Sequence, residues 1–277
     1  MYCRFLHGRE NYFMNERKSV FICTDLEGIS GVDHIDMVMK TEEDGYRRAC
    51  ELLMQDTNAA VAGAFDGGAD AVYVLDGHGG GKNFIPGMLD PRAVQVKMDD
   101  MPKLMKECGA TMQIGLHAMS GTMNAFLDHT QSSVSVHDYY FNDMKIGELM
   151  QDGVYSGAFG VPCVTVSGDK AACAEAEHFF PGVYTACVKT AKERNIADCL
   201  PPEEGARLIY EAAKAGFMHR AEIKPYVLPT PYTVTIEFNR ADYCDDVCRW
   251  RKDVERLDAR TVRSRKTKTE TYWDVLL

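Results

Sequence analysis

No run of roughly 18 apolar residues occurs in the chain, so no segment reads as a membrane-spanning helix. The N-terminus lacks the apolar core of a secretory signal. Positive charge is in deficit: 31 Lys and Arg stand against 41 Asp and Glu, a formal charge of −10. That balance argues against a general affinity for nucleic acid or for anionic membranes. The 10 cysteines form neither a Cys-x-x-Cys pair nor a framework of the secreted type, and only Cys244 and Cys248 lie close together. They read as reduced, mostly buried thiols of a cytoplasmic protein. A Gly-x-Ser-x-Gly nucleophile elbow, a Walker loop and a Gly-x-Gly-x-x-Gly fingerprint after a strand are all missing. Serine-hydrolase, P-loop and dinucleotide-binding chemistries therefore have no foothold. Internal repeats and low-complexity tracts are absent as well.

What is present is ordinary globular composition, 45% hydrophobic and 26% charged over 277 residues. That length holds one sizeable α/β domain, or a domain of about 200 residues with an appendage. Residues 1–18 are polar and aperiodic and read as an N-terminal extension, with Met14 an alternative start. Residues 19–200 alternate short apolar runs with helical periods. Strands are expected in SVFICT (19–24), DAVYVLD (70–76), TMQIGL (111–116), SSVSVHDYYFND (132–143), VPCVTVSGD (161–169) and VYTACVK (183–189). Helices are expected over 42–68, 102–109, 146–160 and 170–180. This βαβα order predicts an α/β fold, a mostly parallel sheet flanked by helices. Residues 201–277 read as a smaller α+β C-terminal portion, with a helix over 203–217 and a strand over 231–238. From Arg249 to Lys268 the chain carries nine basic and three acidic residues, leaving the remainder near −16. That stretch reads as a solvated or subunit-facing surface, since no aromatic interleaving accompanies the charge.

Three of the predicted strands end in residues that ligate metals: Asp25-Leu-Glu27, Asp76-Gly-His78 and Gly115-Leu-His117. In open parallel sheets the C-terminal strand ends line the binding crevice, so residues distant in sequence converge there. Residues i and i+2 of a strand share a face, and two carboxylates on one face repel unless a cation lies between them. Two histidines and several carboxylates at one crevice suit Zn²⁺ or a similar divalent ion. With two metals about 3.5–4 Å apart, a carboxylate between them bridges. Asp25, central at its strand end, is the natural bridge. Glu148, in NDMKIGELM, reads by itself as an exposed helical carboxylate. His129, in FLDHT, is a candidate for the border of the crevice. His34, between Asp33 and Asp36, reads as a rim residue and His137 as structural. Asp76 either orients a histidine or turns the chain. The glycine-rich DGHGGGK has a phosphate cradle as its alternative reading, which its central histidine and the missing downstream Ser or Thr disfavour.

The segments TDLEGISGV, DGHGGG, GLHAM, DHT, IGELMQDGVYSGAFGVPCVTVSGDKAACAEA and VKTA together resemble the zinc D-aminopeptidase family, from residue 19 to about 240. The resemblance implies a metalloprotease with two Zn²⁺ per chain that cleaves short peptides or amides carrying an N-terminal D-residue. It further implies a ring-shaped homodecamer, with Asp25 (bridging), Glu27, His78, His117 and Glu148 as metal ligands and His129 as the catalytic histidine. This chain departs from the family pattern at Gly79 and Thr130, where serine is usual, and by one extra residue between His117 and His129. Two other readings remain. One is a dinuclear metallohydrolase of another kind, such as an amidase on a peptide-like metabolite; the other is a non-catalytic ring scaffold.

Overall fold

The computed structural model describes residues 17–269. Its elements, in chain order, are β1 (Ser19–Thr24), α1 (Glu43–Asp66), β2 (Ala71–Asp76), β3 (Val94–Val96), the single turn α2 (Met101–Leu104), β4 (Cys108–Leu116), β5 (Val136–Phe141), β6 (Met144–Lys145), α3 (Glu148–Ala158), β7 (Cys163–Asp169), α4 (Lys170–Phe179), β8 (Tyr184–Glu193), β9 (Ile196–Cys199), α5 (Pro202–Met218), β10 (Tyr232–Phe238), α6 (Ala241–Trp250), β11 (Glu255–Arg256) and β12 (Thr261–Lys266). The expected extension over 1–18 falls outside the described residues for all but its last two positions. No helix among the described residues is long and apolar enough to cross a membrane.

Seven strands form one sheet in the order β3-β2-β1-β4-β7-β8-β9, parallel except for β9, which runs antiparallel to β8. β1, β4 and β7 are buried along nearly their whole length because both faces of a parallel sheet are covered. Successive side chains of β1 part to opposite sides. Val20 and Ile22 join a cluster with Leu53 and Val61 of α1 and Ile209 and Phe217 of α5. Phe21 joins the other cluster, with Leu149 of α3, Phe179 of α4 and Tyr139, Phe141, Tyr232 and Ile236 of a second sheet. Each such large side chain contributes about 1.5–3 kcal/mol by its burial. α1 and α5 touch backbone to backbone at Gly63, where an added Cβ would stand 2.4 Å from the Tyr210 carbonyl oxygen.

The second sheet is antiparallel, β11-β12-β10-β5-β6. The architecture is thus the mostly parallel α/β sheet, with a smaller strand-and-helix portion beside it, that the sequence pattern predicts. The division between the two sheets does not fall at residue 200, however. β5 and β6 leave the first stretch to pair with β10, while α5 packs back on α1 and β8. The basic stretch is not all surface. In β12, Val262, Ser264 and Lys266 turn inward while Arg263 and Arg265 face out.

For function the central fact is adjacency. β1 lies between β2 and β4, with Thr24 in register with Asp76 on one side and Ile114 on the other. The three strand ends that carry the candidate ligands are therefore level and side by side.

Candidate metal centre

Beyond Thr24 the chain stays attached to β4. The Asp25 amide donates to the Ile114 carbonyl at 2.8 Å, and the Gly28 amide to the Gly115 carbonyl at 2.7 Å. Only glycine fits at position 28, since a Cβ there would lie 2.1 Å from the Leu116 carbonyl oxygen. The turn pressed onto β4 in this way presents Asp25 and Glu27 to the histidines on either side.

The sequence-predicted residues meet. His78 Nδ1 lies 2.9 Å from Asp25 Oδ1 and 3.1 Å from Glu27 Oε2. His117 Nε2 lies 3.3 Å from Asp25 Oδ2 and 3.5 Å from Glu148 Oε1. Asp25 thus turns one oxygen to each histidine. His129 stacks on His117, with ring centroids 3.8 Å apart and planes 11° from parallel, and its Nε2 is 3.7 Å from Glu148 Oε1. The Nδ1 of His129 reaches the Leu127 carbonyl at 2.8 Å, and that of His117 reaches the Ala118 carbonyl at 3.0 Å. An Nδ1–H donated to a carbonyl leaves Nε2 as the working nitrogen in both rings. Leu127 and Gln131, on either side of His129, hold left-handed backbone at φ +52° and +64°. Such strain is tolerated where the surroundings over-determine the loop. Gln131 supplies part of that restraint by donating its amide to Glu148 Oε1 at 2.7 Å.

Burial opposes the charge on Glu27, His78, His117 and Glu148, and mutual attraction overrides it. Burial disfavours ionised Glu27, yet His78, then His117 and His129, hold its carboxyl well below the usual range. Burial likewise disfavours protonated His78, while Glu27 and Asp25 push its pKa up to about 11. His117 is raised by Asp25 and Glu148, and Glu148 is lowered by His117, in each case against burial. Glu27 Oε2 and His117 Nε2 are nevertheless buried with no aligned hydrogen bond. Buried polar atoms are rarely left so. Donor atoms of Asp25, Glu27 and His117 lie within 4.8 Å of one another, as do those of His117, His129 and Glu148. Three carboxylates and imidazole nitrogens converging at one crevice, two of their buried atoms without an aligned hydrogen bond, fit zinc in donor type. Beside them opens a cavity of about 340 Å³, lined by Asp25, Gly77, Met98, Gln131 and Glu148 among others.

The remaining sequence candidates separate. Asp76 turns the chain: its carboxylate accepts the amides of Asn83 and Phe84 and the Asn83 side chain, which also donates to the His78 carbonyl. His34 accepts the Asp36 amide at 3.2 Å at the start of a short 3₁₀ turn. His137 is exposed on β5. Sequence reasoning missed three residues that hold the centre from behind. Glu175 of α4 accepts the Met119 amide at 2.8 Å, and burial pushes its pKa up to about 7. Asp169 accepts the Phe126 amide at 3.0 Å while capping α4 through Ala172. Lys189 of β8 donates to the Glu27 carbonyl, and burial lowers its pKa to about 8. The signal for Lys189 was a lone charge closing the apolar run VYTACVK.

The family model for D-aminopeptidase, peptidase family M55, matches residues 19–277. The chain belongs to the M55 D-aminopeptidases. A relative from Bacillus subtilis (strain 168), a D-aminopeptidase, is 30% identical over 224 residues, covering 79% of this chain and 81% of its own. The solved structure of the Zn-dependent D-aminopeptidase DppA from Bacillus subtilis, a self-compartmentalizing protease, superposes with a TM-score of 0.85. It is 26% identical and covers 92% of this chain and 94% of its own. Within this M55 chain, the two departures from the family pattern fall in different surroundings. Thr130 is fully buried, accepting the Ser120 amide and donating to the Ile146 carbonyl, so it belongs to the scaffold of the loop. Gly79 holds φ +54° in an open turn.

Proposed function

We propose that this chain is a dinuclear zinc aminopeptidase that releases the N-terminal residue, a D-amino acid, from short peptides or amides. The observation that carries the reading is the two-sided Asp25 carboxylate, with one oxygen 2.9 Å from His78 and the other 3.3 Å from His117. Asp25 would bridge, with Glu27 and His78 on one side and His117 and Glu148 on the other. Bound zinc supplies a Lewis acid for the scissile carbonyl and acidifies a water. His129, anchored through Nδ1 on Leu127, keeps Nε2 free to carry a proton to the leaving amine. A free substrate amine would find its counter-charge on the acidic rim of the cavity, which favours cleavage at the N-terminal bond. The D-preference and zinc dependence follow the relatives named above, and the self-compartmentalizing character of DppA supports a closed homo-oligomer, which we take to be a ring of ten chains from the family resemblance. The test is hydrolysis of D-Ala and L-Ala p-nitroanilides by protein of measured metal content. Cleavage of the D-compound with two zinc ions per chain is expected. Equal activity in fully chelated protein would overturn the reading.

A further inference from the structure

Lys189 is a buried cation, 2% exposed, whose hydrogen bonds go to main-chain carbonyls and not to a carboxylate. Its Nζ donates to the Glu27 carbonyl at 2.7 Å and to the Val32 carbonyl at 2.5 Å, and stands 4.9 Å from the centroid of the Phe126 ring. An ammonium has three N–H groups, and here two carbonyls and one aromatic face receive them. Each partner belongs to a different part of the centre. Glu27 is a ligand in the reading above. Val32 ends the same turn, its amide closing on Ile29. Phe126 opens the segment that carries His129, and its own amide is held by Asp169 at the end of the neighbouring strand β7.

We infer that Lys189 is a positioning residue of the metal centre: it fixes the Glu27 peptide and, through the Phe126 ring, the loop that presents His129, so that ligand turn and histidine keep one register. This rests on the metal reading above. Geometry and electrostatics make opposite forecasts here. By Coulomb's law alone, deleting a positive charge near two bound cations tightens them. Deleting a contact that orients a ligand loosens them, by about 10–100-fold for comparable partners of ligating groups.

The experiment is a zinc titration of the full chain against a chromophoric chelator, wild type beside Lys189→Met, which keeps an unbranched apolar stem one atom shorter and removes the donors. Expected is a loss of about tenfold or more in affinity for at least one zinc. In zinc-saturated protein, kcat on D-Ala p-nitroanilide should fall by more than KM changes. Equal or tighter zinc binding in a cooperatively folding Lys189→Met overturns the inference. Should that variant not fold, Phe126→Leu decides. It leaves both carbonyl contacts, so zinc affinity should stay within about twofold while kcat drops about fivefold or more, and an unchanged kcat overturns the inference. Wild-type protein that takes up no zinc removes the metal reading and this inference together. Two zinc ions in wild type with no difference in the variants removes this inference alone.

Discussion

Asp25 is wedged between two imidazoles, the arrangement that the proposed bridging role requires. Asp25 also accepts the Leu26 amide at 2.9 Å, which fixes its rotation so that each oxygen keeps its own histidine. Asp25→Ala is therefore expected to lose both zinc ions, because two cations without a carboxylate between them face each other unscreened. Glu27→Ala, with a ligand missing from one side only, is expected to keep about one. Elemental analysis after gel filtration measures this, and wild-type stoichiometry in Asp25→Ala would show that the bridge is assigned to the wrong residue. His129 differs from both. It stacks on His117 and touches Glu148 only at 3.7 Å, so His129→Ala should retain zinc and lose about 10²–10⁴-fold in kcat, the range for a proton-transferring side chain. The extra residue before it is absorbed in the loop without carrying the ring away from His117. Near-normal turnover in a zinc-replete variant would make His129 a packing residue. At this scale the sequence was readable where a ligand type stands one to three positions beyond an apolar strand, as Asp25, Glu27, His78 and His117 do. Glu148 opens a helix, where a carboxylate is ordinary, and it came only through family resemblance. Lys189 and Glu175 act through main-chain groups distant in sequence, which no local pattern encodes.

Among the elements, α4 does more than cover the sheet. Its first residue follows Asp169, which holds Phe126, and six residues later Glu175 holds Met119, so the two ends of the loop carrying His129 hang on one helix. The start of α3 presses on the same carboxyl: a Cβ on Gly147 would stand 3.0 Å from Glu175 Oε1. Burial raises the Glu175 pKa from 4.5 to about 7, with the Met119 amide opposing. Below pH 4.5 the group is protonated whether the chain is folded or not. Between 4.5 and 7 the unfolded chain releases the proton and the folded chain keeps it, so stability falls as pH rises. The loss is complete above 7 and amounts to at most about 3 kcal/mol. Glu175→Gln still accepts the amide and has no proton to lose. In chelated protein its melting temperature should decline less than that of the wild type between pH 4.5 and 7.5. Parallel melting curves across that range would place the ionisation elsewhere. The strands and helices around the site were foreseen because apolar runs and 3.6-residue periods are strong there. The helix expected over 102–109 shrank to Met101–Leu104, since Cys108 is drawn into β4 beside Ser19. β12 went unseen because its inward positions are a valine, a serine and a lysine, and its charge masks the alternation.

At the scale of the whole molecule, basic charge gathers on the C-terminal portion, which also exposes two large apolar side chains near it. Trp250, at the end of α6, is 79% exposed, and Leu257, beside β11, is 40% exposed. The strand β12 turns Arg263 and Arg265 outward on a chain whose remainder is strongly acidic. A large aromatic residue left in water beside arginines has the composition of a subunit contact, where tryptophan and arginine dominate binding energy. The closed assembly proposed above is therefore expected to use this surface. Light scattering should give the mass of ten chains of 31.0 kDa each at micromolar concentration. If basic β12 meets acidic surface on a neighbour, the assembly should loosen as ionic strength rises, since rim charges are screened within about 10 Å at 0.1 M salt. Trp250→Glu adds a charge at an exposed position and touches none of the proposed metal ligands. It should shift the mass distribution toward smaller species while zinc content per chain stays the same. A wild type that scatters as a single chain would refute the ring. A Trp250→Glu variant that assembles as fully as wild type would leave the ring standing and move the contact to another face.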